Sequence, residues 1–217
     1  MLFPIGDDNS ANKTPALVTY GLIALNVLVF FIELSSGDPF IQRWSVVPRR
    51  LMANPAGDFA TVFTSMFMHG GWMHLLGNML YLWIFGDNVE SRFGHVKFLI
   101  FYFLCGIAAT VAQVAVNANS NIPNLGASGA IAGVLGAYIL MFPKGQVRVL
   151  MARSVVNMPA FVVLGLWIVL QFVNSIGAIT NSAETGGVAY MAHVGGFVAG
   201  LVLAFIFGGG RRVQAVS

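Results

Sequence analysis

The chain has 217 residues, 57% apolar and only 9% charged, with 18 Phe and a formal net charge of +3. A soluble domain carries about 25% charged residues, and a globule of this length cannot hide so much apolar surface. The composition excludes an ordinary water-soluble domain, a disordered chain and, with one cysteine (Cys105), a disulfide-stapled secreted module.

Residues 1–15 read as a polar tail. The first apolar stretch, Leu17–Leu34, is a retained helix rather than a signal peptide: its leader holds one Lys and two Asp, and no A-x-A site follows. The long loop 35–71 mixes Phe40, Ile41, Trp44, Val46, Val47, Leu51 and Met52 with Arg43, Arg49 and Arg50, a blend suited to the membrane interface. Further apolar stretches follow at Trp72–Phe85, Phe98–Val116, Ala127–Phe142, Met158–Ile176 and Val188–Phe207, before a tail over 208–217. A full crossing takes about 20 residues, so the second and fourth stretches are short. Lipid tolerates such helices only where neighbours or a water cavity receive their ends. The expected fold is therefore all-α and integral to a membrane, with six transmembrane helices over residues 16–207 and an interfacial first loop.

Basic residues orient the bundle. Lys13, Arg92, Lys97, Lys144, Arg148, Arg153, Arg211 and Arg212 fall on one face, and only Arg43, Arg49 and Arg50 on the other. The positive-inside rule places both termini in the cytosol. The basic balance thus sets topology and does not imply nucleic acid.

Polar groups inside spans are costly, so each is a functional candidate. Ser128 and His193 each lie near the outward end of a span, 14 residues before Phe142 and Phe207, respectively. At 1.5 Å per residue both sit about 21 Å from the cytosolic boundary, at one depth. Gly129/Gly133 and Gly196/Gly200 give both helices small residues at four-spacing, which permits close approach. Pressing those stripes together would bring hydroxyl to imidazole, a nucleophile beside its base. The plainer readings are a serine bonded to its own backbone, glycines that only pack, and a satisfied core histidine. His74 and Asn78, four apart on one helix face, are two donors able to meet a developing oxyanion, with the Ser128 N–H as a third; a polar clamp between helices is the alternative. His69 precedes that helix and braces the loop. Asp87 and Glu90, beside Arg92, read as a surface ion-pair region. No His-Glu-x-x-His motif, intramembrane Asp pair or complete metal-ligand set is present.

At these residues the sequence resembles the rhomboid family of intramembrane serine proteases. The matching elements are His69…His74-x-x-x-Asn78, Gly86…Glu90-x-Arg92-x-Gly94, Gly126-Ala-Ser128-Gly129 and Ala192-His193-Val-Gly195-Gly196, in order over about residues 16–207. The resemblance implies a rhomboid-like bundle in which Ser128 and His193 form a dyad without a third acid, and His74 and Asn78 complete the oxyanion hole. It implies cleavage of transmembrane protein substrates near the extracytoplasmic end of their spans, in a multi-pass protein of a prokaryotic plasma membrane. Membrane lipid is the surrounding partner, with no nucleic acid, metal or other cofactor. Span five and the loop before span six are expected as substrate gate and cap. Two departures stand out. Many members carry Trp-Arg nine residues before the position of His69, where this chain has Ala60-Thr61. Some place a Tyr four residues after the nucleophile, stacked on the imidazole, where this chain has Ala132, so another group must orient His193.

Two further functions fit the composition. One is a catalytically inactive rhomboid-like protein that binds membrane helices as a chaperone or quality-control factor; such relatives typically lose the Ser or the His, and both are present. The other is a transporter relaying protons through His74 and His193, against which the short chain shows no inverted repeat.

Overall fold

The computed structural model describes residues 3–10, 12, 14–180 and 189–208, and the side chains of these outside 177–180. In chain order the elements are β1 (Phe3–Asp7), α1 (Leu17–Ser36), α2 (Asp38–Trp44), α3 (Pro48–Ala53), α4 (Pro55–Asp58), α5 (Thr61–Thr64) and a 3-10 turn at Ser65–Phe67. Then come α6 (Trp72–Phe93), α7 (His95–Val116), α8 (Ser128–Met141), β2 (Gln146–Met151), β3 (Ser154–Pro159), α9 (Ala160–Thr180) and α10 (Tyr190–Ile206).

Helix α8 is the hub. Every residue from Gly129 to Tyr138 is buried, the condition of a helix apolar on all sides. Helices α6, α7, α9 and α10 pack around it, and α1 lies outside against α6. The outer faces are apolar and open: Leu28 and Phe31 on α1, Val169 and Phe172 on α9, Val202 and Phe205 on α10 are all exposed. Soluble monomers rarely present so much contiguous apolar surface. Among the described residues, α1 and α7 are long and apolar enough to cross a membrane, while α8, α10 and the described part of α9 are shorter apolar helices.

Glycine makes the α8–α10 seam. A Cβ at Gly196 would collide with the Gly129 carbonyl, and one at Gly200 with the Gly133 carbonyl. The backbones therefore touch with no side chain between them, as small-x-x-x-small faces allow. On the other side of α8 a Cβ at Gly129 would sit 2.5 Å from the Ala109 Cβ of α7.

Three expectations are corrected. The fold is not all-α: β1, β2 and β3 form a three-stranded antiparallel sheet in that order, with Phe3 opposite Leu150 and Gln146 opposite Pro159. The cause is a period of two in Gln-Val-Arg-Val, which buries Val147 and Val149 completely and turns Gln146 and Arg148 outward. The strand β3 takes Met158 and Pro159, so the fifth helix starts at Ala160. The second apolar stretch is not a short helix, because α6 runs on to Phe93 through Gly86, Asp87, Asn88 and Glu90. Those polar groups end the apolar run but not the helix, since neighbouring segments satisfy them.

Nor does Glu90 form a surface ion pair. It is 1% exposed. Its Oε1 accepts from the Val18 N–H at 2.8 Å and its Oε2 from the Thr19 N–H and hydroxyl, both at 2.7 Å. The first N–H groups of a helix have no partner within it, and a carboxylate from α6 supplies one for α1. The ring of His95 lies 2.5 Å from Glu90 Oε1. Gly86 permits the crossing: a Cβ there would lie 3.0 Å from Thr19 Cγ2.

Asp7 ties the sheet to the hub. Its Oδ2 accepts from the Tyr138 hydroxyl and from Asn88 Nδ2, each at 2.7 Å. Tyr138 is ten residues along α8 from Ser128, so this anchor lies about 15 Å from the start of the helix. Burial raises the Asp7 carboxyl from an ordinary 3.8 to about 7; the Tyr138 bond and Arg148 oppose the shift, and Asp87 and Asp8 add to it. Between those values the folded protein holds a proton that the unfolded chain has released. The stabilisation is complete below about 3.8 and is lost as pH rises through about 7.

Asp7→Asn keeps an acceptor and removes the titration, so its melting temperature in detergent should fall less than wild type's between pH 5 and pH 8; equal falls would contradict the assignment. Gly196→Val should destabilise the protein by about 3 kcal/mol or more, the upper range for overpacked cores. Gly21→Val, with nothing within 4 Å of its Cβ, should melt close to wild type. Equal melting of all three proteins would contradict the seam.

Candidate active site

Ser128 opens α8, and the chain reaches it through Gly126, whose φ of +131° suits glycine alone. The Gly126 N–H donates to the Ser65 carbonyl at 2.9 Å. A Cβ at Gly126 would lie 2.9 Å from His74 Cε1 and Nε2, so glycine also lets that ring lie beside the approach to Ser128. His193 sits in the first turn of α10, 9% exposed. One residue earlier, the Ala192 N–H donates to Gln113 Oε1 of α7 at 3.2 Å, which fixes where α10 begins.

The glycine seam brings the two together: Ser128 Oγ lies 2.8 Å from His193 Nε2. The other imidazole nitrogen, Nδ1, lies 2.7 Å from Gln171 Oε1 on α9. One turn earlier on α9, the Trp167 ring faces the imidazole at 5.8 Å with 37° between planes. Both hydrogen bonds are satisfied when Nδ1 carries the proton and Nε2 accepts from the serine hydroxyl.

His74 and Asn78 stand across the same space. His74 Nδ1 accepts from the Gly70 N–H at 3.3 Å, which leaves its Nε2 as the donor. Asn78 is 7% exposed and its Nδ2 has no partner. A buried donor left unpaired costs about 1–3 kcal/mol, which an incoming oxygen would offset. His74, Asn78, Ser128, His193, Trp167 and Gln171 line one cavity of about 700 Å³. The arrangement presents a hydroxyl, an acceptor for its proton and donors for a carbonyl oxygen.

Comparison with known proteins identifies the family. Residues 56–210 match the Rhomboid domain family. The chain is 32% identical over 190 residues to "Rhomboid protease GluP" of Bacillus subtilis, covering 85% of this chain and 34% of that protein. It is 27% identical over 214 residues to "Rhomboid protein 1, mitochondrial" of Saccharomyces cerevisiae, covering 94% and 58%. With the Bacillus subtilis protein YdcA it shares 28% identity over 88% of this chain and 87% of that one. The chain belongs to the rhomboid family. It is thus a member of a family of integral membrane proteins, and it spans about a third of GluP and somewhat over half of the yeast protein.

Within this rhomboid domain all four sequence-selected residues line one cavity, and His69 lies behind it. His69 is buried, its N–H donates to Glu33 Oε2 at 2.9 Å, and its ring meets His74 edge-on at 5.1 Å. Ala60-Thr61 lies at the start of α5, where the Thr61 hydroxyl donates to the Asp58 carbonyl at 2.6 Å. Ala132 is fully buried and brings no ring to the imidazole, which meets Trp167 instead. The expected cap, the loop before α10, falls largely on residues 181–188, outside the described residues. Sequence reasoning missed Gln171, Trp167, Gln113 and Glu33. Three of the four are polar groups within apolar helices, the same signal that singled out Asn78.

Proposed function

We propose that this chain is an intramembrane serine endopeptidase. The observation that carries the reading is the 2.8 Å contact between Ser128 Oγ and His193 Nε2 at a cavity that also holds an unpaired Asn78 donor. Ser128 Oγ attacks the scissile carbonyl carbon as its proton passes to His193 Nε2. The resulting oxyanion is met by His74 Nε2–H, Asn78 Nδ2–H and the Ser128 N–H, which has no partner within its own helix. Collapse breaks the C–N bond, and His193 returns the proton to the leaving amine. Water then attacks the acyl ester, giving its proton to His193, which passes it to the departing serine oxygen.

Helices α1, α6, α7, α8, α9 and α10 serve in this reading as the six transmembrane spans, with α8 at their centre and both termini in the cytosol, in line with eight basic residues on one face against three on the other. The first loop lies in the interface, where Trp44, Met52 and Phe59 are exposed and the Arg43 guanidinium stands 5.4 Å over the Trp44 ring. Ser128 and His193 are each 13 residues from the far ends of α8 and α10, so the cavity sits at the extracytoplasmic end, about 20 Å from the cytosolic boundary. Substrates are transmembrane segments of other proteins, cut near that end where the helix unwinds. In this reading the protease domain comprises residues 16–207, and β1 (Phe3–Asp7), which precedes it, packs back against β2.

Ser128→Ala and His193→Ala should each abolish cleavage of a reconstituted model membrane substrate, with melting temperatures near wild type. The double variant should be no worse than either, because the two act as a unit and loss of such a unit costs several decades of rate. A Ser128→Ala protein retaining more than about a tenth of the wild-type rate contradicts the nucleophile assignment. An inactive but folded wild-type protein would instead favour the helix-binding alternative.

A further inference from the structure

We propose that Gln171 is a positioning residue for His193, completing a Ser128–His193–Gln171 relay of hydrogen bonds; the inference rests on the protease reading above. Among the described residues, no carboxylate lines the cavity beside the imidazole. Its Nδ1 is instead 2.7 Å from the Gln171 side-chain oxygen, while its Nε2 is 2.8 Å from Ser128 Oγ. A neutral imidazole has one N–H, and only the form with hydrogen on Nδ1 leaves Nε2 free to accept the serine proton. An amide oxygen at Nδ1 selects that form. The reverse amide orientation would select the other and disarm the base, so the assignment can be measured.

The choice of an amide suits the place. An ionised carboxylate beside a 9% exposed imidazole would need its own desolvation compensated. The glutamine oxygen fixes the tautomer and adds no charge. Gln171 does not act alone, because Trp167 lies one turn earlier on α9 and covers the ring at 5.8 Å. Indole and amide together restrict the imidazole from its face and from its edge. That is the task left open by Ala132, which carries no ring.

The two supports come from a helix other than those bearing the dyad. On α9, Val169, Leu170, Phe172 and Val173 are exposed to the surroundings, while Trp167 and Gln171 line the cavity. Displacement of α9 away from α10 would therefore release the imidazole, so the base is held only while α9 is seated.

The test combines kinetics with 15N NMR of the imidazole in the whole 217-residue chain. Gln171→Leu should lower kcat by about 10–100-fold with KM within about twofold, as expected when a hydrogen bond that orients the base is lost. Gln171→Glu keeps an acceptor at the same reach and should restore kcat to within about tenfold of wild type. In wild type and in Ser128→Ala the His193 nitrogens should show hydrogen on Nδ1; in Gln171→Leu the two tautomers should mix. A Gln171→Leu protein with wild-type kcat, equal loss in the Leu and Glu variants, or hydrogen on Nε2 in wild type would each overturn the proposal. If Gln171→Leu does not fold, the wild-type and Ser128→Ala spectra decide alone. The tautomer is read without turnover, so an inactive wild-type protein would count against the protease reading and leave the Gln171 contact separately testable.

Discussion

The contact on which the rest depends is bare backbone against bare backbone. Gly129 and Gly133 of α8 meet Gly196 and Gly200 of α10 so closely that one methyl group would strike a carbonyl. Lipid offers helices little hydrophobic incentive to associate, so association rests on packing and interhelical hydrogen bonds. The seam starts one residue after Ser128 and three after His193, which makes the distance between hydroxyl and imidazole a consequence of helix packing. Neither residue reaches the other from a flexible loop. Both project from the first turn of a packed helix, as a preorganised site requires.

A second constraint is that polar groups within an apolar bundle need partners. Glu90 meets the open N-terminus of α1, Gln113 that of α10, and Glu33 the backbone before α6. Each fixes a helix end whose N–H groups would otherwise be unsatisfied or ties a loop to the bundle. Other buried atoms have no partner, among them Glu33 Oε1 and both ring nitrogens of His69, and of the unpaired atoms among the described residues Asn78 Nδ2 is the one whose residue lines the cavity. That position on the cavity wall is why the protease reading gives its N–H a substrate oxygen as partner.

Much of this was legible in the residues. The apolar stretches located all six of the longer helices, and for the first, third, fourth and sixth the ends agree within three residues. The glycine stripes and equal depths placed Ser128 beside His193, because four-spacing on two helices constrains a close crossing. The sheet was hidden because its alternation lasts only a few residues and lies in a basic connection between apolar runs. The length of α6 was hidden for a related reason: hydropathy registers a polar residue as an end, whereas Glu90 and Asn88 are buried by segments distant in sequence. Gln171 and Trp167 share a helix face at four-spacing, yet only the tertiary arrangement shows that this face meets His193. The oxyanion roles proposed for His74 and Asn78 rest on four-spacing along one helix face together with the family resemblance.

The most direct test of the central claim is covalent labelling with a serine-directed fluorophosphonate, read by mass spectrometry of the purified wild-type protein. Only a hydroxyl activated by a neighbouring base reacts readily with such a reagent. The account predicts one adduct, on the peptide containing Ser128, strongly reduced in His193→Ala and absent in Ser128→Ala. A folded wild-type protein that takes no label on Ser128, or takes it on another serine to the same extent in all three proteins, would contradict it.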